Sequence, residues 1–344
     1  MSLTSGWIAG RDVREADLMS PPPISVVIIG RNEGARLTRC LRSVYAMNFP
    51  REKLEVIYVD SRSRDDSTAR AAAEGAHVIE LPPGPTTAAR GRNAGIRVAR
   101  GELLLLLDGD TVVARDFLAH AISFLDGHPD VAIYWGHRRE LYPERSLYNR
   151  VFDLDWVIPV GETTFCGGDA VVRKRALEEV GSFRDDLIAG EEPELCARLR
   201  AAGYRVWHAD ELMTEHDIAI TDFTAYWRRC YRGGHAYAEV ADRTGGALFK
   251  RESVKNHAQM AIYVLAPLAL VAAFGRAGFA VAIAAAALTI VRTAWRARWR
   301  KASIATTLLY AVHTHVCQLP IWLGQLRYLR SRRRQTLRQI IEYK

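Results

Sequence analysis

The segment Leu103-Leu104-Leu105-Leu106-Leu107-Asp108-Gly109-Asp110 joins five leucines to two acids. An unbroken apolar run of this length predicts a strand buried on both faces, as in a mostly parallel sheet. Such a strand delivers both carboxylates at its carboxyl end, and Gly109 lets the backbone turn tightly between them. Carboxylates held that close repel unless a proton or a cation lies between them. Mg²⁺ or Mn²⁺, which carboxylates and phosphates hold together, supplies such a cation. Taken alone, Asp-Gly-Asp also suits a solvated turn with two surface acids.

The flanking sequence repeats the strand signal. After Pro21-Pro22-Pro23, which cannot enter a sheet interior, Ile24–Ile29 is short, β-branched and apolar. Leu37, Cys40, Leu41 and Val44 recur at helical spacing before a second strand, Leu54–Val59. A third strand, His77–Leu81, is followed by the turn Pro82–Pro85, and a helix over about Thr87–Arg100 leads into the leucines. This alternation predicts an α/β fold with a mixed, mostly parallel sheet flanked by helices. Ligands of such sheets bind outside the carboxyl ends of the strands, where Arg31-Asn32-Glu33, Asp60-Ser61 and Asp108-Gly109-Asp110 fall. Periodicity weakens after about Val131, and Trp135–Gly168 reads as strands and loops. A further helix, Glu191–Ala202, stops at Gly203.

The chain has 344 residues and a formal net charge of +8, enough length for one large or two modest domains and a balance that favours an anionic partner. Arginines concentrate in Arg292–Arg300 and Arg327–Arg334, beside the most apolar stretches, which points to a membrane and not to nucleic acid. Cys40, Cys166, Cys196, Cys230 and Cys317 are scattered and odd in number, so they read as free thiols of a reducing cytoplasm. Met1–Ser20 is polar and lacks a signal-peptide core, which predicts a catalytic part that is not exported.

Composition changes at about Ala258. Ala258–Phe274 and Ala277–Val291 are almost wholly apolar and are separated by Gly275-Arg276. A bilayer core needs about 20 helical residues, so each stretch is marginally short, and an arginine near the bilayer centre costs several kcal/mol. A helical hairpin turning at Gly275-Arg276 follows, either spanning fully or re-entering from one side. A third segment, about Ser303–Leu323, is flanked at both ends by arginines, which suits an interfacial or re-entrant helix. Buried helices of a soluble domain are the alternative for all three. The chain thus divides into an extension at 1–22, an α/β domain at 23–245, and a membrane-associated helical region with a basic tail at 246–344.

Over roughly Pro23–Tyr237 the chain resembles the inverting glycosyltransferases of family 2, a GT-A group. Ile24–Glu33 (ISVVIIGRNE) is similar to that family's first strand and turn, and Val59–Thr68 (VDSRSRDDST) to its nucleotide-binding segment. Arg92-Asn93-Ala94-Gly95 and Gly101-Glu102 match the run that precedes its Asp-x-Asp motif. The resemblance implies that Asp60 and Asp65 sit at the nucleoside and that Asn32 and Glu33 line the same pocket. It implies that Arg92 and Asn93 approach the nucleotide, and that Asp108, Gly109 and Asp110 hold a metal-bound diphosphate.

Gly190-Glu191-Glu192-Pro193-Glu194-Leu195 is similar to the family's catalytic-base motif, with Glu192 in the place of its aspartate and Glu191 as the fallback. Acids at a helix N-terminus are also favoured by the helix dipole alone. Phe165-Cys166-Gly167-Gly168-Asp169 resembles the acceptor-site loop, and His216 the histidine that reaches metal or diphosphate. Tyr226–Gly234 (YWRRCYRGG), with Arg229 and Arg232 among aromatics, suits a diphosphate or an acidic headgroup. It lacks the Gln-x-x-Arg-Trp of the family's polymerising synthases, which implies transfer of one sugar.

The expectation is an inverting transfer, dependent on Mn²⁺ or Mg²⁺, from a nucleotide-diphosphate sugar to a lipid-linked or other saccharide acceptor. It would occur at the inner membrane, with the catalytic domain facing the cytoplasm, in exopolysaccharide or envelope glycan synthesis. A nucleotidyltransferase acting on sugar phosphates is the alternative. A dinucleotide oxidoreductase is disfavoured, because Ile29–Gly34 lacks the three-glycine fingerprint.

Overall fold

The computed structural model describes residues 24–334. Its strands, in chain order, are β1 (Ile24–Gly30), β2 (Leu54–Asp60), β3 (His77–Glu80), β4 (Leu103–Asp108), β5 (Thr111–Val113), β6 (Val131–Glu140), β7 (Gly161–Thr163), β8 (Ala170–Arg173) and β9 (Arg205–His216). Its helices are α1 (Ala35–Tyr45), α2 (Ser67–Ala73), α3 (Ala88–Val98), α4 (Phe117–Gly127), α5 (Leu147–Asp155), α6 (Lys174–Val180), α7 (Glu191–Ala201), α8 (Phe223–Arg243), α9 (Lys250–Ala297), α10 (Ile304–Val316) and α11 (Gln318–Arg334).

The strands form one sheet in the order β3-β2-β1-β4-β8-β6-β9-β5, with β7 pairing β9. β3, β2, β1 and β4 are parallel, and β8 runs against both β4 and β6. The expected mixed, mostly parallel α/β sheet is the one observed. β1 and β4 read as continuous apolar runs because both faces are covered: Val26, Val27 and Ile28, like Leu104, Leu105 and Leu107, are wholly buried. Each leucine so buried contributes roughly 1.5–3 kcal/mol. Helix α3 lies close on this layer through Gly95, where a Cβ would come within 2.3 Å of Val27 Cγ1.

Register places the chemistry. Gly30 pairs with Asp60, and Ile29 with Asp108, so the polar turns after β1, β2 and β4 emerge side by side. Thr87 caps α3 by accepting from the Arg90 N–H, which starts that helix one residue after the expected Thr87. Two expectations need correction. Trp135–Gly168 holds a helix, α5, capped by the Ser146 hydroxyl and set by packing of Val151, Phe152 and Leu154. Ser303–Leu323 is not one helix but parts of two, α10 and α11, separated at Cys317, with Pro320 tolerated in the first turn of α11.

Helix α9 is not straight. Gly275 has φ 55° and ψ −128°, a conformation that favours glycine, and a Cβ on Gly278 would fall 1.9 Å from Leu270 O. The His315 imidazole hydrogen-bonds both Tyr263 Oη and, at 2.9 Å, Thr293 Oγ1. Along a straight helix those two residues would stand about 45 Å apart, so the segment doubles back into the expected hairpin. Among the described residues it is the one stretch long and apolar enough to cross a membrane. Ile262, Leu265, Leu268, Phe274, Phe279 and Leu288 are all more than half exposed on it. The base of the hairpin sits on α8, α10 and α11. There α8 and α11 cross with backbones touching: a Cβ on Gly234 would lie 1.9 Å from Ile321 O, and one on Gly324 2.0 Å from Tyr231 O.

Candidate active site

A cleft of about 890 Å³ opens at the carboxyl ends of β1 and β4. One wall is Gly30–Glu33, Asp108–Asp110, Gly168 and Gly190–Glu192; the other comes from α8 to α11.

Arg92 organises the first wall. Its Nη1 lies 2.9 Å from Oε1 of both Glu191 and Glu192, and its Nη2 lies 2.9 Å from Asp108 Oδ1. Burial alone would lower the guanidinium's pKa, but Glu192, Asp108 and Glu191 raise it, so the charge is secure. Arg138 completes the cluster, 2.8 Å from Asp169 Oδ2 and 3.6 Å from Asp108 Oδ2. Sequence reasoning missed Arg138, since a charged residue near a strand end gives no sign of which way it points. Trp156, 5.6 Å from this guanidinium and 5.2 Å edge-on from His216, was missed for the same reason.

Carboxylates outnumber the cations among them, and the consequence falls on Glu192. Burial first, and then repulsion from Glu191, push its carboxyl up to about 7 against the pull of Arg92. A carboxylate poised near neutrality is suited to take a proton.

Asp108, Asp110 and His216 each offer a ligand atom within 4.8 Å of the others. Asp110 Oδ1 is 3.1 Å from His216 Nε2. Burial and then Arg138 lower the imidazole to about 4, so it is neutral, and its buried Nδ1 has no hydrogen-bond partner. Two carboxylates and a neutral imidazole with a spare lone pair fit Mn²⁺ or Mg²⁺. Glycines let the parts meet. A Cβ on Gly168 would sit 2.9 Å from both Arg92 Nη2 and Asp108 Oδ2, and one on Gly109 3.1 Å from Ile29 O.

Several expected contacts lie elsewhere. Asn93 does not reach the cleft: its amide donates to Phe183 O and Asp185 Oδ1 and accepts from Ser182 Oγ and the Phe183 N–H, tying α3 to that loop. Asp60 is buried beneath the turn after β2, accepting from Tyr58 Oη, the Ser63 N–H and Ser63 Oγ, while Ser61 faces the cavity. Asp65 accepts from Ser67 Oγ at 2.6 Å. Asp169, expected to meet acceptor or diphosphate, is wholly buried and accepts from the Asp108 N–H, Thr214 Oγ1 and Arg138, so it positions β4. Gly167 packs near Trp135, and Gly168 alone of that pair lines the cavity. Asn32, at φ 56°, and Glu33 do line it, as do Arg229 and Arg232.

The mixed sheet, with a carboxylate cluster at its carboxyl edge, has the GT-A architecture. Residues 25–181 match the family described as Glycosyl transferase family 2. Glycosyltransferase AglE of Haloferax volcanii is 29% identical over 208 residues, 57% of this chain and 67% of that one. The catalytic subunit of cellulose synthase 1 from Komagataeibacter xylinus is 24% identical over 60% of this chain, but only 30% of the relative is spanned. The fold is shared with a mannosyltransferase from Pyrobaculum calidifontis solved with GDP-Man and Mn²⁺, at a TM-score of 0.57 and 19% identity, covering 91% of this chain and 88% of the other. The chain is a glycosyltransferase, and its residues 25–181 are similar to glycosyltransferase family 2.

Proposed function

We propose that the chain moves one sugar, with inversion, from a nucleotide-diphosphate donor to a hydroxyl of a lipid-linked saccharide. The observation that carries this reading is Arg92, which ties the base candidate Glu192 to Asp108 on opposite sides of one guanidinium. Asp108, Asp110 and His216 would hold Mn²⁺ or Mg²⁺, which when bound neutralises charge on a departing diphosphate. The Glu192 carboxylate accepts the proton of the acceptor hydroxyl as that oxygen bonds to the anomeric carbon. The bond from that carbon to the diphosphate breaks on the opposite face, and a nucleoside diphosphate leaves. Arg229 and Arg232 line the same cleft and suit its anionic contents. Asn32 and Glu33 line the nucleotide side, and Glu191, 2.9 Å from Arg92, keeps the guanidinium aimed.

The hairpin of α9 supports membrane association, with residues 23–245 as catalytic domain and 246–344 as the membrane-associated part. On this reading the catalytic domain faces the cytoplasm, where nucleotide sugars are made, and the product belongs to an exopolysaccharide or other envelope glycan. The test is transfer of radiolabelled sugar by the full chain. Asp110→Ala and Glu192→Gln should each lose most of it, and wild-type rates in either would overturn the mechanism. Release of pyrophosphate in place of nucleoside diphosphate would instead make the protein a nucleotidyltransferase.

A further inference from the structure

The wall of the cleft opposite Glu192 belongs to the helices that continue into the hairpin. Asn256 of α9 stands in that wall, 4% exposed. Its Nδ2 donates to Gln318 Oε1 at 2.7 Å and to Gln318 O at 3.2 Å. Two acceptors on one side fix the orientation of the amide, since the flipped form would set oxygen against oxygen. Gln318 is itself fixed, because its Nε2 donates to Thr314 O at 2.9 Å. Asn256 Oδ1 is therefore turned away from Gln318, and it is buried without a hydrogen-bond partner. Leaving a buried carbonyl without a donor is unfavourable, and an incoming hydroxyl donor removes that penalty.

The same helix runs without a break from this amide to the exposed apolar surface. Ile262 follows about 9 Å further along, and Leu265 and Leu268 continue the face. Gln259, between them, lines the cleft and donates to Tyr263 Oη.

The geometry points to a headgroup subsite at Asn256, buttressed by Gln318, that accepts a hydrogen bond from a saccharide hydroxyl of an amphipathic acceptor whose apolar part leaves along α9. The assignment rests on the acceptor reading given above and adds the residue that selects a hydroxylated headgroup. It makes the hairpin part of the binding site and not an anchor alone.

The test uses the full chain in its native membranes with Gln259 replaced by the photo-reactive p-benzoylphenylalanine, irradiation and mass spectrometry of the adducts. A glycan-bearing lipid should be captured, and Asn256→Leu or the smaller Asn256→Ala should lower its yield about ten-fold, as loss of one buried hydrogen bond implies. The thermal shift given by nucleoside diphosphate with Mn²⁺ should stay unchanged in both. Capture should persist in Glu192→Gln, which blocks transfer but leaves the subsite, so a failed mechanism and a failed subsite give different results. Capture of a water-soluble saccharide that depends on Asn256 would keep the subsite and overturn the lipid-linked acceptor. Phospholipid adducts alone, no adduct while the same probe at Leu268 captures lipid, or yields indifferent to Asn256 would overturn the subsite.

Discussion

Arg92 Nη2 holds Asp108 Oδ1 at 2.9 Å with 2% of the arginine side chain exposed, and the same guanidinium reaches the carboxylates at the start of α7. Removing one partner of a buried charge cluster leaves the others uncompensated, typically at about 3–5 kcal/mol. Arg92→Met should therefore lower unfolding free energy by about that amount in denaturant titration. Arg92→Lys keeps the charge, but one ammonium cannot serve three carboxylates in a planar fork, so it should fold better than Arg92→Met yet still transfer sugar poorly.

The raised pKa of Glu192 sets a pH dependence. The reactive form is the carboxylate, so transfer should rise with pH through a half-point near 7 in wild type. Glu192→Gln should be slower by about 10²–10⁴-fold and lose that inflection. Stability carries the opposite sign. A carboxyl whose folded pKa lies above its unfolded value stabilises at pH below the unfolded value, and that contribution is lost as pH rises through about 7. Glu192→Gln should accordingly melt no lower than wild type at pH 8, measured by calorimetry at pH 5 and pH 8.

Gly168 should resist even a methyl group. A Cβ there would press on Arg92 Nη2 and Asp108 Oδ2 at 2.9 Å, and neither side chain can retreat from its ion pairs without disturbing the other. Gly168→Ala should cost activity by about ten-fold or more, as small misplacements at a reacting centre do. Gly167→Ala, whose Cβ would meet Trp135 no closer than 3.6 Å, should be nearly neutral in the same assay.

A divalent ion that fits Asp108, Asp110 and His216 should announce itself thermodynamically. Nucleoside diphosphate with Mn²⁺ at about 100 times its dissociation constant should stabilise the fold by about 2.7 kcal/mol. Chelation should remove the part of that shift that depends on metal, and Asp110→Ala should start without it. An equal shift in Asp110→Ala would place the ion elsewhere.

The parallel half of the sheet was legible because strands buried on both faces leave an apolar signature, and β1, β2 and β4 lie within a residue or two of where that signature puts them. Asp108 and Asp110 were legible because they close such a strand, and Glu192 because it opens a helix in a stretch similar to a known base motif. Arg138 and Asp169 were not readable in the same way. Their importance comes from β8 being brought beside β4 and β6 beside β8, pairings between segments that no local period reports. Asn93 shows the converse: a residue in a recognised motif whose four hydrogen bonds go to a loop some 90 positions away. The contribution of α9 to α11 to the cleft was equally hidden, since hydropathy marked those helices as apolar and said nothing of the polar face that Asn256 and Gln318 share.

The hairpin should make membrane association separable from folding. Its exposed apolar side chains touch little within the protein, so their replacement removes affinity for lipid without opening a core. Ile262→Ser, Leu265→Ser, Leu268→Ser and Phe279→Ser combined should leave the melting temperature of the catalytic part nearly unchanged while moving the protein from the membrane pellet toward the supernatant in carbonate extraction. Gly278→Leu should act differently. Its side chain would collide with the Leu270 carbonyl, so the two arms cannot close, the hydrogen bonds of His315 to Tyr263 and Thr293 part, and stability falls although the surface stays apolar. Hydrogen exchange across the two arms reports the difference: protection should persist in the serine variant and collapse in Gly278→Leu. Equal protection in both would mean that the arms are held by the bilayer and not by each other.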